Sequence, residues 1–360
     1  LADLRPGRRT ADMNPRILLV NPPIYDFAAY DFWLRPYGML SAAGFIADRA
    51  EFELFDFLDR LHPFMAAKRY CRSDRFNRGR FHHKMVDRPA PLARIPRYFR
   101  RFGLPEEIFQ KFLVNNPPFD FAFIQTTMTY WYPGVREAID AIRRHNPQTK
   151  IVLGGNYPTL CPQHAASLGA DLLLQGADLS PLWRLLNIKP DLTAPALWQS
   201  YPALKTAAIR ISDGCPFNCT YCSVPQVYAG FTARPLDRAI KELKLAAELG
   251  ATDIAFYDDA LLCNADKLLT PFLERVLSED FSVNFHCPNA LNARLLTPQL
   301  AELMVAAGFK TFFLGFESLC AQWQRKTGSK VFSAELRTAV KNLFAAGADP
   351  RCITAYQILG

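Results

Sequence analysis

A chain of 360 residues, half of them hydrophobic and 21% charged, holds apolar material for more than one core, and at about 150 residues per domain two domains are expected. No apolar run approaches the about 18–20 residues that span a bilayer, and the basic start is followed only by the short run Ile17 to Val20, so neither an integral membrane protein nor a secretory precursor is expected. The formal charge is +8, yet residues 66–101 carry 12 Lys or Arg against Asp74 and Asp87, which leaves the rest of the chain at −2; the basicity belongs to one segment.

In chain order, Arg16 to Val20 reads as a short buried strand ended by Asn21-Pro22-Pro23. Tyr37 to Arg49 has helical spacing, and Phe52 to Phe57 reads as a second strand. The basic excursion follows, rich in aromatics, as a surface that grips phosphates would be, or as a solvated cover on one domain would be. Then come a helix from about Pro105 to Val114, a strand at Asp120 to Thr127, a helix at Gly134 to Arg144, a strand at Lys150 to Leu153 closed by Gly154-Gly155, and a strand at Ala170 to Leu174 closed by Gly176. Five strands with intervening helices predict an α/β, doubly wound parallel sheet. Ligands of such a sheet lie outside the carboxyl ends of the strands, where Asn21, residues 126–129 and Gly154-Gly155 fall. The aromatic run Met128 to Tyr132 either lines that pocket or packs beneath it.

Weak periodicity and three prolines around Leu186 to Tyr201 predict a linker, giving a first domain over 14–185 with a basic insertion at 66–101, a linker over 186–204 and a second domain over 205–360. The second domain alternates again, with strands at Ala207 to Ser212, Asp253 to Tyr257, Phe281 to His286, Thr311 to Phe316 and Ile353 to Leu359. Helices are expected at Leu236 to Leu249, Asp266 to Leu277, Pro298 to Ala307 and Ser333 to Ala346. The last strand runs to the end of the chain and residue 1 is Leu, so the sequence reads as part of something longer.

Nine cysteines, an odd number of which three crowd into eight positions, fit a metal site in a reducing cytoplasm better than a disulfide framework. Cys215, Cys219 and Cys222 form C-x3-C-x2-C directly after the first strand of the second domain. Three thiolates on a four-iron cluster leave one iron open to a ligand. A structural zinc site completed by Cys263 or Cys287 is the alternative; zinc knuckles favour paired C-x2-C units, and one such unit is present. His82-His83, without acidic or cysteine partners in sequence, reads as surface.

The stretch Gly214-Cys215-Pro216-Phe217-Asn218-Cys219-Thr220-Tyr221-Cys222 resembles the cluster loop of radical S-adenosylmethionine (SAM) enzymes, with Tyr221 as the aromatic before the third cysteine. Further motifs resemble that family in order: Phe256 to Leu261 with Asp258 and Asp259, where the family contacts the SAM amino group; Asn289; Gly315-Phe316-Glu317-Ser318, like its ribose-binding and carboxylate-binding positions; and Gln357 to Gly360, like its adenine-packing segment. The first half resembles the cobalamin-binding domain that precedes the SAM domain in one subclass, through Val20 to Pro23, Leu153 to Thr159 and Gly169 to Asp171. Asn21, Gly154, Gly155 and Thr159 are its candidate cobalamin contacts. No D-x-H-x-x-G occurs, so no histidine is assigned to cobalt, and the family's acidic G-E-G-E reads Gln175-Gly176-Ala177-Asp178.

The resemblance implies a cobalamin-binding-like Rossmann domain followed by a partial (β/α)6 radical SAM barrel cut after strand 5. It implies a 4Fe-4S cluster on Cys215, Cys219 and Cys222, SAM held by Tyr221, Asp258, Asp259, Asn289, Gly315, Glu317, Ser318 and Gly360, and cobalamin on the first domain. The activity it implies is reductive cleavage of SAM to a 5′-deoxyadenosyl radical, in the service of methyl transfer or rearrangement of a small organic substrate. An external electron donor of flavodoxin or ferredoxin kind would supply the cluster. Neither a membrane nor a nucleic acid is expected as partner; the reading from a different class is a zinc-stabilised module that binds nucleic acid through residues 66–101. Cys71 and Cys161 are too few for a second cluster in the first half, unlike the RNA-methylthiolating relatives.

Overall fold

Apolar runs too short for helices alternate with amphipathic helical stretches along the whole chain, and the structure, a computed structural model that describes residues 14–328 and 330–358, folds them into two units divided after Pro202. Each unit is built on its own five-stranded parallel sheet.

In the first unit the strands are β1 (Arg16–Asn21), β3 (Glu51–Asp56), β6 (Phe121–Thr126), β7 (Lys150–Gly155) and β8 (Leu172–Leu173), in the spatial order β3-β1-β6-β7-β8. The second parallel strand lies on one side of the first and the third on the other, which is the doubly wound arrangement, with its switch point between β1 and β6. β1 is buried from Ile17 to Asn21, and β6 and β7 carry similar apolar runs, because helices cover both faces. Helix α1 (Tyr37–Gly44), α2 (Glu106–Asn115) and α3 (Tyr132–His145) supply that cover. α3 buries Val135, Ala138, Ile139, Ala141 and Ile142 on one stripe and carries Arg143 and Arg144 in its last turn, cations suited to a helix C-terminus.

The basic excursion is ordered structure. β2 (Ile24–Asp26), β4 (His83–Met85) and β5 (Arg100–Phe102) form a three-stranded antiparallel sheet in the order β2-β5-β4, which sequence reading missed because no strand exceeds three residues. Cys71, Phe76, Phe81 and Phe99 are buried beneath it. Not all its charge is free: Arg101 is paired with Glu137, whose carboxylate also accepts from the Tyr25 hydroxyl at 2.7 Å, and Arg78 is paired with Asp74.

Residues 186–202, most of the stretch 186–204 expected as a linker, are folded back on the first unit. Asp191 N bonds to Phe45 O at 2.7 Å, Leu197 N bonds to Leu40 O at 3.0 Å, Trp198 is fully buried beside Tyr37, and the Tyr201 hydroxyl donates to Asp56 at 2.6 Å. A few anchoring side chains do this, and a buried ring of that size contributes about 2–3 kcal/mol, without leaving any period in the sequence.

The second unit holds β9 (Thr206–Ile209), β12 (Asp253–Phe256), β13 (Asn284–Asn292), β14 (Phe309–Glu317) and β15 (Ile353–Gln357), each beside its neighbour in sequence, all parallel. This sequential order is that of a (β/α) barrel wall, five strands long, and not of a doubly wound sheet. Helices α4 (Leu236–Glu248), α5 (Leu269–Ser278), α6 (Pro298–Ala306) and α7 (Ser333–Ala345) connect the strands. Phe256, Phe272, Phe285, Phe309 and Phe312 stack into the core between wall and helices. All the wall's strands point their carboxyl ends to one rim, where barrel enzymes carry their sites.

Candidate active site at the rim of the second unit

The cysteine loop leaves β9 through a small hairpin. β10 (Ser212–Asp213) pairs antiparallel with β11 (Thr232–Ala233), and Arg234 clamps Asp213 in bidentate fashion at 2.6 and 2.8 Å, with Arg210 on the same carboxylate at 3.0 Å. At the neck Gly214 has φ +72°, and a Cβ there would stand 1.9 Å from Gly230 O, so only glycine lets the two ends of the loop meet.

Asp258, at the end of β12, holds this neck from below. Its carboxylate accepts from Ile211 N, from Ser212 N at 2.6 Å and from Ser212 Oγ at 2.6 Å, and burial raises its pKa to about 6. It is 2% exposed, so it positions the loop and its oxygens face the loop backbone. Asp259 differs. It accepts from Gly214 N, its pKa is raised chiefly by burial, and its Oδ2 is buried without a hydrogen bond, with Arg210 3.7 Å away. Of the two sequence candidates for an amino-group contact, Asp259 is the one with an oxygen to offer.

Cys215, Cys219 and Cys222 lie on this loop, and Cys222 N bonds to Cys219 O at 3.0 Å. Burial raises the Cys215 thiol; the Phe217 N–H and Lys330 lower it, and the other two cysteines raise it, so the three sulfurs act on one another. Among the described residues no three Cys, His, Asp or Glu side chains are grouped tightly enough to hold a metal ion. The donor set nonetheless fits a thiolate-ligated cluster: three cysteines on one pinched loop, with Cys287 buried behind Asp258 and its thiol pushed well up by burial. Drawing the thiols together is work that a metal itself does on deprotonated ligands.

Glu317 closes β14 at φ +68°, with Ser318 N bonded back to Phe316 O at 2.8 Å; it is the centre of a γ-turn, a rare backbone state for a side chain to hold. The turn aims its carboxylate at Tyr221 and Lys330. The Tyr221 hydroxyl is raised by burial first, then by its hydrogen bond to Cys219 and by the charge of Glu317, and Lys330 Nζ stands 3.9 Å from Glu317 Oε1. Gly315 lies under the same group, its missing Cβ 3.3 Å from Lys330 Nζ. Ser318 Oγ accepts from Cys320 N, and Asn289 Nδ2 donates to the carbonyls of Tyr257 and Asp258 at 3.2 Å, tying β13 to the end of β12. Gly360 lies outside the described residues.

Sequence reading missed Lys330, Asn292 and Arg210. Phe217, Asp259, Asn292 and Lys330 line one small cavity with Cys263, and Asn292 Nδ2 is buried there without a hydrogen bond while its Oδ1 caps Arg294 N. Arg210 had a signal, a charge inside the apolar run AAIRIS; Lys330, 13 residues after Glu317 in an irregular segment, had none.

At the strand ends of the first unit the candidates are mostly occupied with one another. Asn21 Nδ2 donates to Asp56 at 2.7 Å. Thr159 Oγ1 donates to Gly155 O at 2.9 Å and accepts from Gly176 N at 2.8 Å. Gly155 has φ +107°, and a Cβ there would lie 2.1 Å from Thr126 O, whereas Gly154 meets only Leu174 at ordinary contact distance and leaves its face approachable.

Residues 209–360 match the family model of the Radical SAM superfamily. The chain carries a radical SAM domain. The cysteine loop and the four strand ends just described all lie within the matched span. Over 96% of the chain the fold resembles TsrM, a radical SAM methyltransferase from Kitasatospora setae solved with tryptophan and a SAM analogue (TM-score 0.67, 13% identity, 68% of that chain). It also resembles OxsB, a cobalamin-dependent SAM radical enzyme (TM-score 0.64, 14% identity, 96% of this chain and 49% of that one). In sequence, the bacteriochlorophyllide d C-12(1)-methyltransferase of Chlorobaculum tepidum is 28% identical over 204 residues, 49% of this chain and 44% of that protein. The ribosomal protein uS12 methylthiotransferase RimO of Carboxydothermus hydrogenoformans is 41% identical over 136 residues, 33% of this chain and 30% of that protein. The chain thus spans less than half the length of these two curated relatives.

Proposed function

We propose that the protein is a radical SAM methyltransferase acting on a small organic substrate, with a 4Fe-4S cluster on Cys215, Cys219 and Cys222 and cobalamin at the β6–β7 strand ends of the first unit. The observation that carries this reading is the convergence on one rim of three cysteines, an unbonded buried Asp259 oxygen, and the Glu317–Lys330 pair. A cluster bound there would supply the electron that breaks a carbon–sulfur bond of SAM to give a 5′-deoxyadenosyl radical, and cobalamin would carry the methyl group.

The chain's own residues bind and orient. Asp259 is assigned to the SAM ammonium, since a carboxylate oxygen without a donor is favourably paired with a cation. Lys330 is assigned to the SAM carboxylate. Glu317 then holds Lys330 in place at 3.9 Å and fixes Tyr221 over the loop. Asp258 and Arg234 hold the loop's neck so that the sulfurs keep their places, and Asn289 keeps the ends of β12 and β13 together. In the first unit, the open face of Gly154 supports a ligand approaching the backbone closely, and the knitted Thr126–Gly155–Thr159–Gly176 bonds hold that face still.

Anaerobic reconstitution with iron, sulfide and cobalamin, followed by spectroscopy with and without SAM, tests the reading. The expected result is about four irons per chain, an electron paramagnetic resonance signal that changes on adding SAM, and 5′-deoxyadenosine or methyl transfer under dithionite. Cys219→Ala is expected to lose the iron and both activities. A colourless zinc protein, or activity retained in that variant, would reject the assignment.

A further inference from the structure

β4 and β5 pair antiparallel, so residues 86–99 form the hairpin loop between them, closed by Val86 N on Phe99 O at 3.1 Å. The loop is not slack. Leu92, Ala93, Ile95 and Arg97 each bond back to a carbonyl two or three residues earlier, and the Arg88 guanidinium clamps the carbonyls of Ala93 and Ile95. The six residues 93–98, Ala-Arg-Ile-Pro-Arg-Tyr, are all exposed, and the turns present Leu92, Ile95 and Tyr98 at a spacing of three. Tyr98 is 66% exposed and Met85, on the adjoining strand, 63%, the most open large apolar side chains of this segment. On the same hairpin Lys84, Arg94 and Arg97 are exposed, as are Arg69, Arg72 and Arg80 of the basic segment, and among the described residues none of them pairs with a carboxylate.

We propose that this hairpin docks the protein on the surface of an anionic lipid bilayer, with Ile95 and Tyr98 entering the headgroup region and Arg94 and Arg97 against the lipid phosphates. Two kinds of side chain coincide here, and each alone is ambiguous. Unpaired cations attract any polyanion. An interfacial bilayer layer accepts aliphatic side chains such as Met85 and Ile95 and tyrosine such as Tyr98 together with flanking arginine. The preformed turns spare the loop an ordering cost on docking. The expectation of no membrane partner rested on spanning length alone, and a hairpin that lies on a bilayer needs no span; among the described residues no helix is long and apolar enough to cross one. The proposal does not depend on the chemistry of the second unit.

The whole chain should cosediment with vesicles of mixed phosphatidylcholine and phosphatidylglycerol and not with phosphatidylcholine alone, and added salt should weaken the binding. Replacing both Arg94→Ala and Arg97→Ala should weaken partitioning about thirtyfold, taking each arginine at the usual value near an anionic surface. Ile95→Ser with Tyr98→Ser should also weaken it, with far-ultraviolet circular dichroism unchanged in all variants because every altered side chain is exposed. Failure to bind the mixed vesicles, or binding unaffected by the Ile95 and Tyr98 replacements, would overturn the proposal. So would tighter binding to single-stranded RNA than to vesicles, since that would assign the loop to nucleic acid.

Discussion

Asp56 and Asp258 occupy the same place in two different sheets, at or just past the carboxyl end of the strand beside the first, and burial raises both to about 6. Their partners differ. Besides Leu58 N of its own turn, Asp56 binds side chains that come from far away, the Asn21 amide and the Tyr201 hydroxyl, with Arg35 near it, and so it fastens residues 186–202 to the first sheet. Asp258 binds the backbone and hydroxyl of its immediate neighbours in space, Ile211 and Ser212, and so it fixes a loop that carries three thiols. Beside Asp258, Asp259 Oδ2 and Asn292 Nδ2 are buried without a hydrogen bond, as is Trp198 Nε1 in the segment that Asp56 fastens. Buried polar groups in folded proteins are nearly always paired, so an unbonded one marks a place where a further partner fits.

The largest effect that would test this contrast is expected from Asp258→Ala. It leaves two buried N–H groups and a hydroxyl without an acceptor and should cost about 4 kcal/mol, read by denaturant titration, with iron content falling in step because the loop's neck loses its support. Iron content unchanged would place the loop's support elsewhere.

The pH dependence comes next. Both aspartates bind protons more tightly folded than unfolded, so between about pH 4 and 6 the native state holds more protons. Stability should fall as pH rises through that window and level off above it, by about 3 kcal/mol for each group at most. Asp56→Asn and Asp258→Asn should each flatten the slope, and an unchanged slope in either would show that residue titrating normally.

The two glycines that end β7 divide on a smaller scale. Gly155→Ala should lower stability by about 2 kcal/mol, through its positive φ and the nearness of Thr126 O. Gly154→Ala should leave the fold close to wild type and reduce cobalamin retention on gel filtration; equal effects of the two would remove Gly154 from the proposed site.

The smallest effect is also the most discriminating. Glu317→Gly relieves a positive φ and should raise stability by about 1 kcal/mol while weakening SAM binding, measured by calorimetry on the reconstituted protein. Strain without a binding role would give the first change alone.

Much was legible before the structure. Strand-helix alternation, the order of the five strands in each unit, and C-x3-C-x2-C after β9 all rest on local pattern, because the period of side chains along a strand or helix is set by the chain's own geometry; β13, expected over Phe281 to His286, instead runs Asn284–Asn292. The short antiparallel sheet β2-β5-β4 was not legible, since three-residue strands leave no period. Nor was the packing of 186–202, which depends on single anchors such as Trp198 and Tyr201 finding Tyr37 and Asp56.

The sequence by itself therefore determined that two parallel α/β units follow one another and that three cysteines share a loop at a strand end. Only the tertiary structure decided which polar groups at that rim are consumed. Asp258 turned to the loop backbone, Asp259 and Asn292 kept unbonded atoms, and Lys330 arrived beside Glu317 from a segment without pattern. The reason is physical: a hydrogen bond or an ion pair at a strand end is made with whatever the fold brings there, and residues far apart in sequence announce no such meeting.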